Sequence, residues 1–170
     1  MGLETEVKGK EEKVDKFDYR LEVCGVNSAE EKEKWIESIS RYYDKIGRLP
    51  DSTERRTEIV RFLEKGNVVV ILLGEEIVAL VNVYCNNYET LEGYMNNGEV
   101  VVEHRRRGLM RRIMQKTVDI CMEKGFKSAS LHVAEGNVGA ETIFLQLGFK
   151  RTGKSKETVD GLLHEMKLTL

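Results

Sequence analysis

Residues 99–114 read Glu99-Val100-Val101-Val102-Glu103-His104-Arg105-Arg106-Arg107-Gly108-Leu109-Met110-Arg111-Arg112-Ile113-Met114. The apolar run Val100, Val101 and Val102 reads as a strand. It breaks at Glu103 into five polar residues, three of them Arg105, Arg106 and Arg107, and a helix opens at Gly108. A strand that stops, a basic turn and a helix start together make an anion site. The first N–H groups of a helix have no carbonyl partners, and its dipole places about half a positive charge there. Glycine at that point lets a phosphate approach the backbone closely. The stretch therefore reads as a turn that holds the pyrophosphate of a nucleotide-like cofactor.

Upstream of this turn, the continuous apolar run 68–73 predicts a strand buried on both faces, Gly74-Glu75-Glu76 a hairpin turn and 77–84 the return strand. A loop with Asn86 and Asn87 follows, and the next strand runs from about Tyr94 to Val102. Before them, Tyr19, Leu21 and Val23 alternate with polar residues in a first strand, 19–26. Ser28 with Glu31 forms a capping box for a helix that buries Trp35, Ile36, Ile39, Tyr42, Tyr43 and Ile46 and stops at Gly47. A second helix restarts near Ser52, turns Ile59, Val60, Phe62 and Leu63 inward and closes at Gly66. Downstream, the helix after Gly108 carries Ile113, Met114, Thr117, Val118 and Cys121 on one stripe. A strand at 129–133, a short helix capped by Asn137, and two strands around Asp160-Gly161 complete the chain. This order is mixed αβ with one central, largely antiparallel sheet.

With 170 residues, 41% apolar and 33% charged, the chain is long enough for one well-filled domain over 18–170, behind a charged N-terminal tail at 1–17. A net charge of −2 argues against a general nucleic-acid binder. Cys24, Cys85 and Cys121 are odd in number and far apart, which reads as reduced thiols in a cytoplasmic protein, with neither a disulfide framework nor a metal site. No secretion signal and no apolar run of membrane-spanning length is visible, so no membrane partner is expected.

Arg105-Arg106-Arg107-Gly108-Leu109-Met110 resembles the R/Q-x-x-G-x-G/A turn of the GNAT family of acetyl-CoA-dependent acetyltransferases, with Met110 where the family has Gly or Ala. Asn137 to Ala140, followed by Ile143, Phe144, Leu147, Gly148 and Phe149, is similar to the family's N-x-x-A-x-x-hydrophobic-aromatic-x-x-L-G-F signature. The resemblance implies an α+β fold with a mostly antiparallel sheet of about seven strands, splayed at its centre, and about four helices. It implies acetyl-CoA as co-substrate, without a metal, and direct transfer of acetyl to a primary amine of a small molecule or peptide. A non-catalytic acyl-CoA-binding sensor or partner-binding module is the alternative. Family members often form homodimers, so the resemblance implies a homodimer as one form of assembly.

By the same resemblance the backbone at Val100, Val101 and Val102 pairs with the pantetheine arm as an added strand, and an N–H near Val100 or Val101 polarises the thioester carbonyl. Arg105, Arg106, Arg107, Gly108, Leu109 and Met110 take the pyrophosphate, with Asn137 and Phe144 as further cofactor contacts. The family commonly has Tyr at the Phe144 position to protonate the leaving thiolate. Phe lacks that proton, so Tyr84 or Tyr88 is read as its substitute, Tyr84 first. For the general base, Glu99 and Asn97 share one strand face by alternation, with Glu92 and Tyr94 further back. Glu99 is the first choice. His132 is expected on the cleft floor, and no histidine is given a catalytic role.

Overall fold

The computed structural model describes residues 17–170, in which seven strands form one sheet flanked by four helices. β1 (Tyr19–Val23) leads to α1 (Ala29–Ile46), α2 (Thr53–Lys65), β2 (Asn67–Leu73), β3 (Glu76–Tyr84) and β4 (Glu92–Val100). Then come α3 (Leu109–Glu123), β5 (Ser128–Ala134), α4 (Val138–Gln146), β6 (Lys150–Thr158) and β7 (Gly161–Thr169). The spatial order is β1-β2-β3-β4-β5-β7-β6. All neighbours are antiparallel except β4 and β5, which are parallel. This is the expected α+β architecture. The N-terminal tail expected at 1–17 lies, Phe17 apart, outside the described residues.

The helix starts follow from their caps. Ser28 Oγ accepts from Glu31 N–H at 3.1 Å, and the Glu31 carboxylate accepts from Asn27 N–H at 3.2 Å. Ser52 Oγ does the same for Arg55 N–H at 3.2 Å. The Arg55 side chain, only 3% exposed, then ties the two helices together. It donates to Asp44 Oδ1 at 2.7 Å, to Leu49 O at 2.6 Å and to Ser40 and Arg48 carbonyls. α1 and α2 pack Ile36, Ile39, Tyr42, Tyr43, Ile59 and Phe62 on Val68, Val70, Leu72 and Leu80 of the sheet. α3 and α4 cover the other face, where Ile113, Met114, Val118, Cys121 and Phe144 meet Val69, Ile71, Val81, Val83, Leu131 and Val133. The unbroken apolar run of β2 is thereby explained: its alternate residues enter two separate cores. All three cysteines are free thiols, with Cys85 Sγ and Cys121 Sγ 3.4 Å apart.

β4 departs from the sequence reading in two ways. It begins and ends earlier than the expected 94–102, and Val102 lies in a one-turn 3₁₀ helix, Val102–His104, with 65% of its surface exposed. An apolar run does not mark where a ladder stops. Val101 N–H makes the last bond to β3, at 2.8 Å from Val78 O; His104 and Arg105 N–H then fold back onto the Val101 and Val102 carbonyls. The second departure is a β-bulge. Asn82 faces Asn96 but Leu80 faces Glu99, so Asn97 and Gly98 together oppose Val81, with Asn97 left-handed at φ 58°. The bulge inverts the alternation. Tyr94, Asn96, Glu99 and Val101 share the α1/α2 face, and the grouping of Glu99 with Asn97 is corrected.

Candidate active site

β4 and β5 pair at only three positions, Glu92 with Ser128, Gly93 with Ala129 and Tyr94 with Ser130. Beyond Tyr94 the strands part: β5 continues to Ala134 bonded to β7 alone. The far half of β4 therefore turns an unladdered edge toward the gap. In an antiparallel pair, residues alternate between bonding the partner and facing away. Val101 N–H bonds Val78 O, so the Val100 N–H faces away from β3, toward the gap. Of the two N–H groups expected to polarise a carbonyl, Val101 is thus committed to the sheet and Val100 is available.

The turn that follows has a distinctive backbone. Among the described residues, no N–H from 106 to 111 makes a hydrogen bond to the protein, whereas Arg105 N–H bonds Val102 O at 3.2 Å and Arg112 N–H bonds Gly108 O at 3.1 Å. Arg106 (φ 64°) and Gly108 (φ 76°) are both left-handed, which bends these donors around a tight corner at the start of α3. A Cβ built on Gly108 would meet nothing within 4 Å, so the space outside it is open. The side chains have other uses. Arg105 Nε donates to Val100 O at 2.9 Å and its Nη2 lies 3.4 Å from Glu99 Oε1, clamping the turn to the strand it leaves. Arg107 stacks over the Phe17 ring at 4.4 Å. Leu109 is buried in the core, and Met110 packs its thioether against that core near Gly98. The turn therefore keeps an open outer side without a small residue at position 110. Asn137 caps α4, its Oδ1 accepting from Ala140 N–H at 3.3 Å. Phe144 is buried against Phe149, at 6.2 Å between ring centres, where the helix ends in a Schellman turn with Phe149 N–H on Phe144 O.

The opposite side of the gap is built from side chains. α1 and α2 lie over β2 and β3, and one face of β4, β5 and β7 beyond them carries Glu92, Tyr94, Asn96, Ser130, His132, Glu165 and Lys167. Tyr94 Oη and His132 Nδ1 are hydrogen-bonded at 3.0 Å, with Glu165 opposite His132 in the β5–β7 register. Burial, reinforced by the Glu165 carboxylate, raises the Tyr94 hydroxyl above the usual phenol range, so it keeps its proton at neutral pH. A cavity of about 510 Å³ opens beside Tyr94, lined also by Tyr84, Asn86, Asn87, Glu92 and Ser130. Tyr84 stands opposite Tyr94 in the ladder and touches Phe62 edge-on. Tyr88 is exposed and packs on Phe126. Glu99 lies further along this face, its carboxylate held by Arg105 and its carbonyl accepting from Tyr42 Oη at 2.8 Å. The Tyr94–His132 pair is what the sequence reading missed. Only the strand registers bring it together: Tyr94 is in the last β4–β5 pair, with Ser130, and His132 lies two positions past Ser130.

The family model described as the acetyltransferase (GNAT) family matches residues 32–149, which contain the gap, the turn and α4. The chain belongs to the GNAT family. Similar solved structures include the ribosomal-protein-S18-alanine N-acetyltransferase of Escherichia coli, 16% identical, with 89% of this chain and 94% of that one covered at a TM-score of 0.70. The ribosomal-protein-S5-alanine acetyltransferase of Vibrio fischeri is 12% identical, with 89% and 92% covered at a TM-score of 0.72. A Bacillus anthracis protein assigned as a streptothricin acetyltransferase, in complex with acetyl-coenzyme A, is 18% identical over 62% of this chain and 63% of its own at a TM-score of 0.54. At these identities the likeness is one of fold. A comparison with curated protein sequences finds no match.

As a GNAT protein the chain has the parts that a coenzyme A diphosphate and pantetheine arm need: a corner of unbonded N–H donors with open space outside it, and a strand edge leading from it to the gap. Among the described residues no cluster of His, Cys, Asp or Glu fits a metal ion, and no helix is long and apolar enough to cross a membrane.

Proposed function

We propose that the protein transfers an acetyl group from acetyl-CoA directly to a primary amine in a ternary complex. The observation that carries this reading is the run of unbonded N–H groups from 106 to 111 at the mouth of the β4–β5 gap. Those donors, with the dipole of α3, bind the diphosphate. The edge of β4 holds the arm as an added strand, and the Val100 N–H stabilises the negative charge that develops on the acyl oxygen. Both reactants are brought together in the gap, which removes the entropic cost of their meeting.

The acceptor approaches from the polar face. The Tyr94 hydroxyl orients the amine, and the proton lost as the new bond forms passes through it to His132, with Glu165 balancing the imidazolium. Glu99, on the same face past the bulge, is the second candidate base. Tyr84, lining the same cavity as Tyr94, is the candidate donor to the leaving thiolate. The presence of ribosomal-protein-alanine acetyltransferases among similar folds supports a protein or peptide amine as acceptor. A cytoplasmic setting and a single domain over 18–170 belong to the same reading. One observation favours a second reading, a non-catalytic acyl-CoA-binding module: Phe144 puts no hydroxyl on α4. Titration calorimetry with CoA tests binding, and mass spectrometry of a mixed amine pool incubated with acetyl-CoA tests transfer. Absence of CoA binding overturns both readings; binding without any acetylated product selects the second.

A further inference from the structure

A fully buried polar side chain with an unpaired oxygen lies in β3. Asn82 faces the α1/α2 core between Leu80 and Tyr84, and its Oδ1 has no hydrogen-bond partner. Leaving a carbonyl oxygen dry costs about 1–3 kcal/mol, so an apolar residue would be the stable choice there. What Asn82 does instead is donate, from Nδ2, to Asn96 Oδ1 at 3.0 Å across the β3–β4 ladder. Its oxygen is seated against the backbone of Gly66, where any Cβ would come within 2.0 Å. The seat is thus cut to hold this amide. Asn96 is half-buried and follows Tyr94 by two residues on the same face, where β5 has left β4. Its oxygen is held by Asn82, and its Nδ2 has no hydrogen-bond partner among the described residues. That makes an oriented amide donor one step beyond Tyr94, alongside the path of the acceptor.

We infer that Asn96 binds a carbonyl oxygen of the acceptor, with Asn82 as its positioning residue, and that the acceptor is therefore an amine with a carbonyl close by: the α-amine of a peptide. The inference rests on the acetyltransferase reading and narrows it. The β-bulge at Asn97–Gly98 contributes by turning β4 immediately after Asn96, two residues beyond the last β4–β5 pair at Tyr94. A lysine side chain or an alkyl diamine offers no carbonyl at that distance from its amine.

The test uses the full chain, acetyl-CoA and three probe pools: peptides with a free α-amine and randomised first two residues, N-blocked peptides with one free lysine, and alkyl diamines. Transfer to the α-amine pool is expected. Asn96→Ala should raise KM for that pool about tenfold while changing kcat little, and CoA affinity by calorimetry should stay unchanged. Asn96→Asp should be at least as damaging, because an anion now faces the carbonyl. Asn82→Leu should reproduce the KM effect; if that variant fails to fold, the Asn96 variants decide. The inference is overturned by an unchanged KM in Asn96→Ala, by Asn96→Asp matching the wild type, by transfer confined to the lysine or diamine pools, or by transfer to none. Transfer to none of the pools, or no CoA binding by the wild type, overturns the acetyltransferase reading beneath it as well.

Discussion

The two sides of the gap are built from different materials. On the α3 side the groups proposed to work are backbone N–H donors at Val100 and 106–111, and the side chains nearby serve the scaffold: Arg105 clamps the strand, Leu109 and Met110 fill the core, Arg107 stacks on Phe17. On the α1/α2 side the groups proposed to work are side chains, Tyr84, Tyr94, Asn96 and His132, delivered by the consecutive strands β3 and β4 and by β5, which follows only after α3. A backbone site tolerates substitution at almost every position except where conformation or space is constrained. A side-chain site fails with a single atom. The two halves should therefore respond to mutation in opposite ways.

The largest effect is expected at Gly108. There is room for a side chain, since a Cβ would meet nothing within 4 Å, but the residue is left-handed at φ 76° and its open side is the one proposed to take the diphosphate. Gly108→Asp should cost about 1 kcal/mol in folding stability and weaken CoA binding by about 100-fold or more, through a carboxylate placed against the diphosphate. Calorimetry measures the second and thermal melting the first. Gly108→Ala, with the same conformational cost and no charge, should lose far less affinity. Equal losses in the two would show that conformation, not the anion, is what glycine provides.

Next in size are Tyr94→Phe and His132→Ala. Each removes one end of the 3.0 Å hydrogen bond and should lower kcat by about 10–100-fold with CoA affinity intact. The double variant should be little worse than either single one, because the two groups act as one proton path. Additive losses would separate their roles. A larger loss in Glu99→Gln than in His132→Ala would move the base past the bulge.

How much of this could be read from the chain follows the same division. The turn at Arg105, Arg106, Arg107 and Gly108 is contiguous, so strand, corner and helix start were visible together, as were the capping box at Ser28 and the glycine stop at Gly47. The acceptor face was not. Tyr94, His132 and Glu165 meet only through the β4–β5 and β5–β7 registers, which no local pattern specifies. The end of β4 was misplaced because Val102 is as apolar as Val100. The bulge defeated alternation, although Asn97-Gly98 is the kind of pair that adopts one.

Gly66 sharpens the comparison on the acceptor side. Gly66→Ala puts a Cβ about where Asn82 Oδ1 sits, at 2.0 Å. Asn82 must then move, at about 1–3 kcal/mol of stability, and Asn96 loses its anchor. The expected outcome is a lower melting temperature, a raised acceptor KM and an unchanged CoA affinity. A CoA affinity that falls in step would mean that the two halves are mechanically coupled through β4 and do not act independently.

The smallest effect tests whether α4 belongs to the chemistry at all. Phe144 is 7% exposed and sits on the α3/α4 core with Phe149, so its ring is explained by packing alone. A hydroxyl added at its para position either reaches the gap or is buried. If it reaches the gap, Phe144→Tyr supplies a proton donor near the leaving sulfur, and kcat should hold or rise by a few-fold, about 2–5. If it is buried without a partner, stability falls by about 1–3 kcal/mol and the rate per folded molecule stays the same. Measuring kcat and melting temperature on one preparation separates the two. A large loss of rate in a stable variant would show instead that the gap needs an apolar ring there, and that Tyr84 or bulk water already protonates the thiolate.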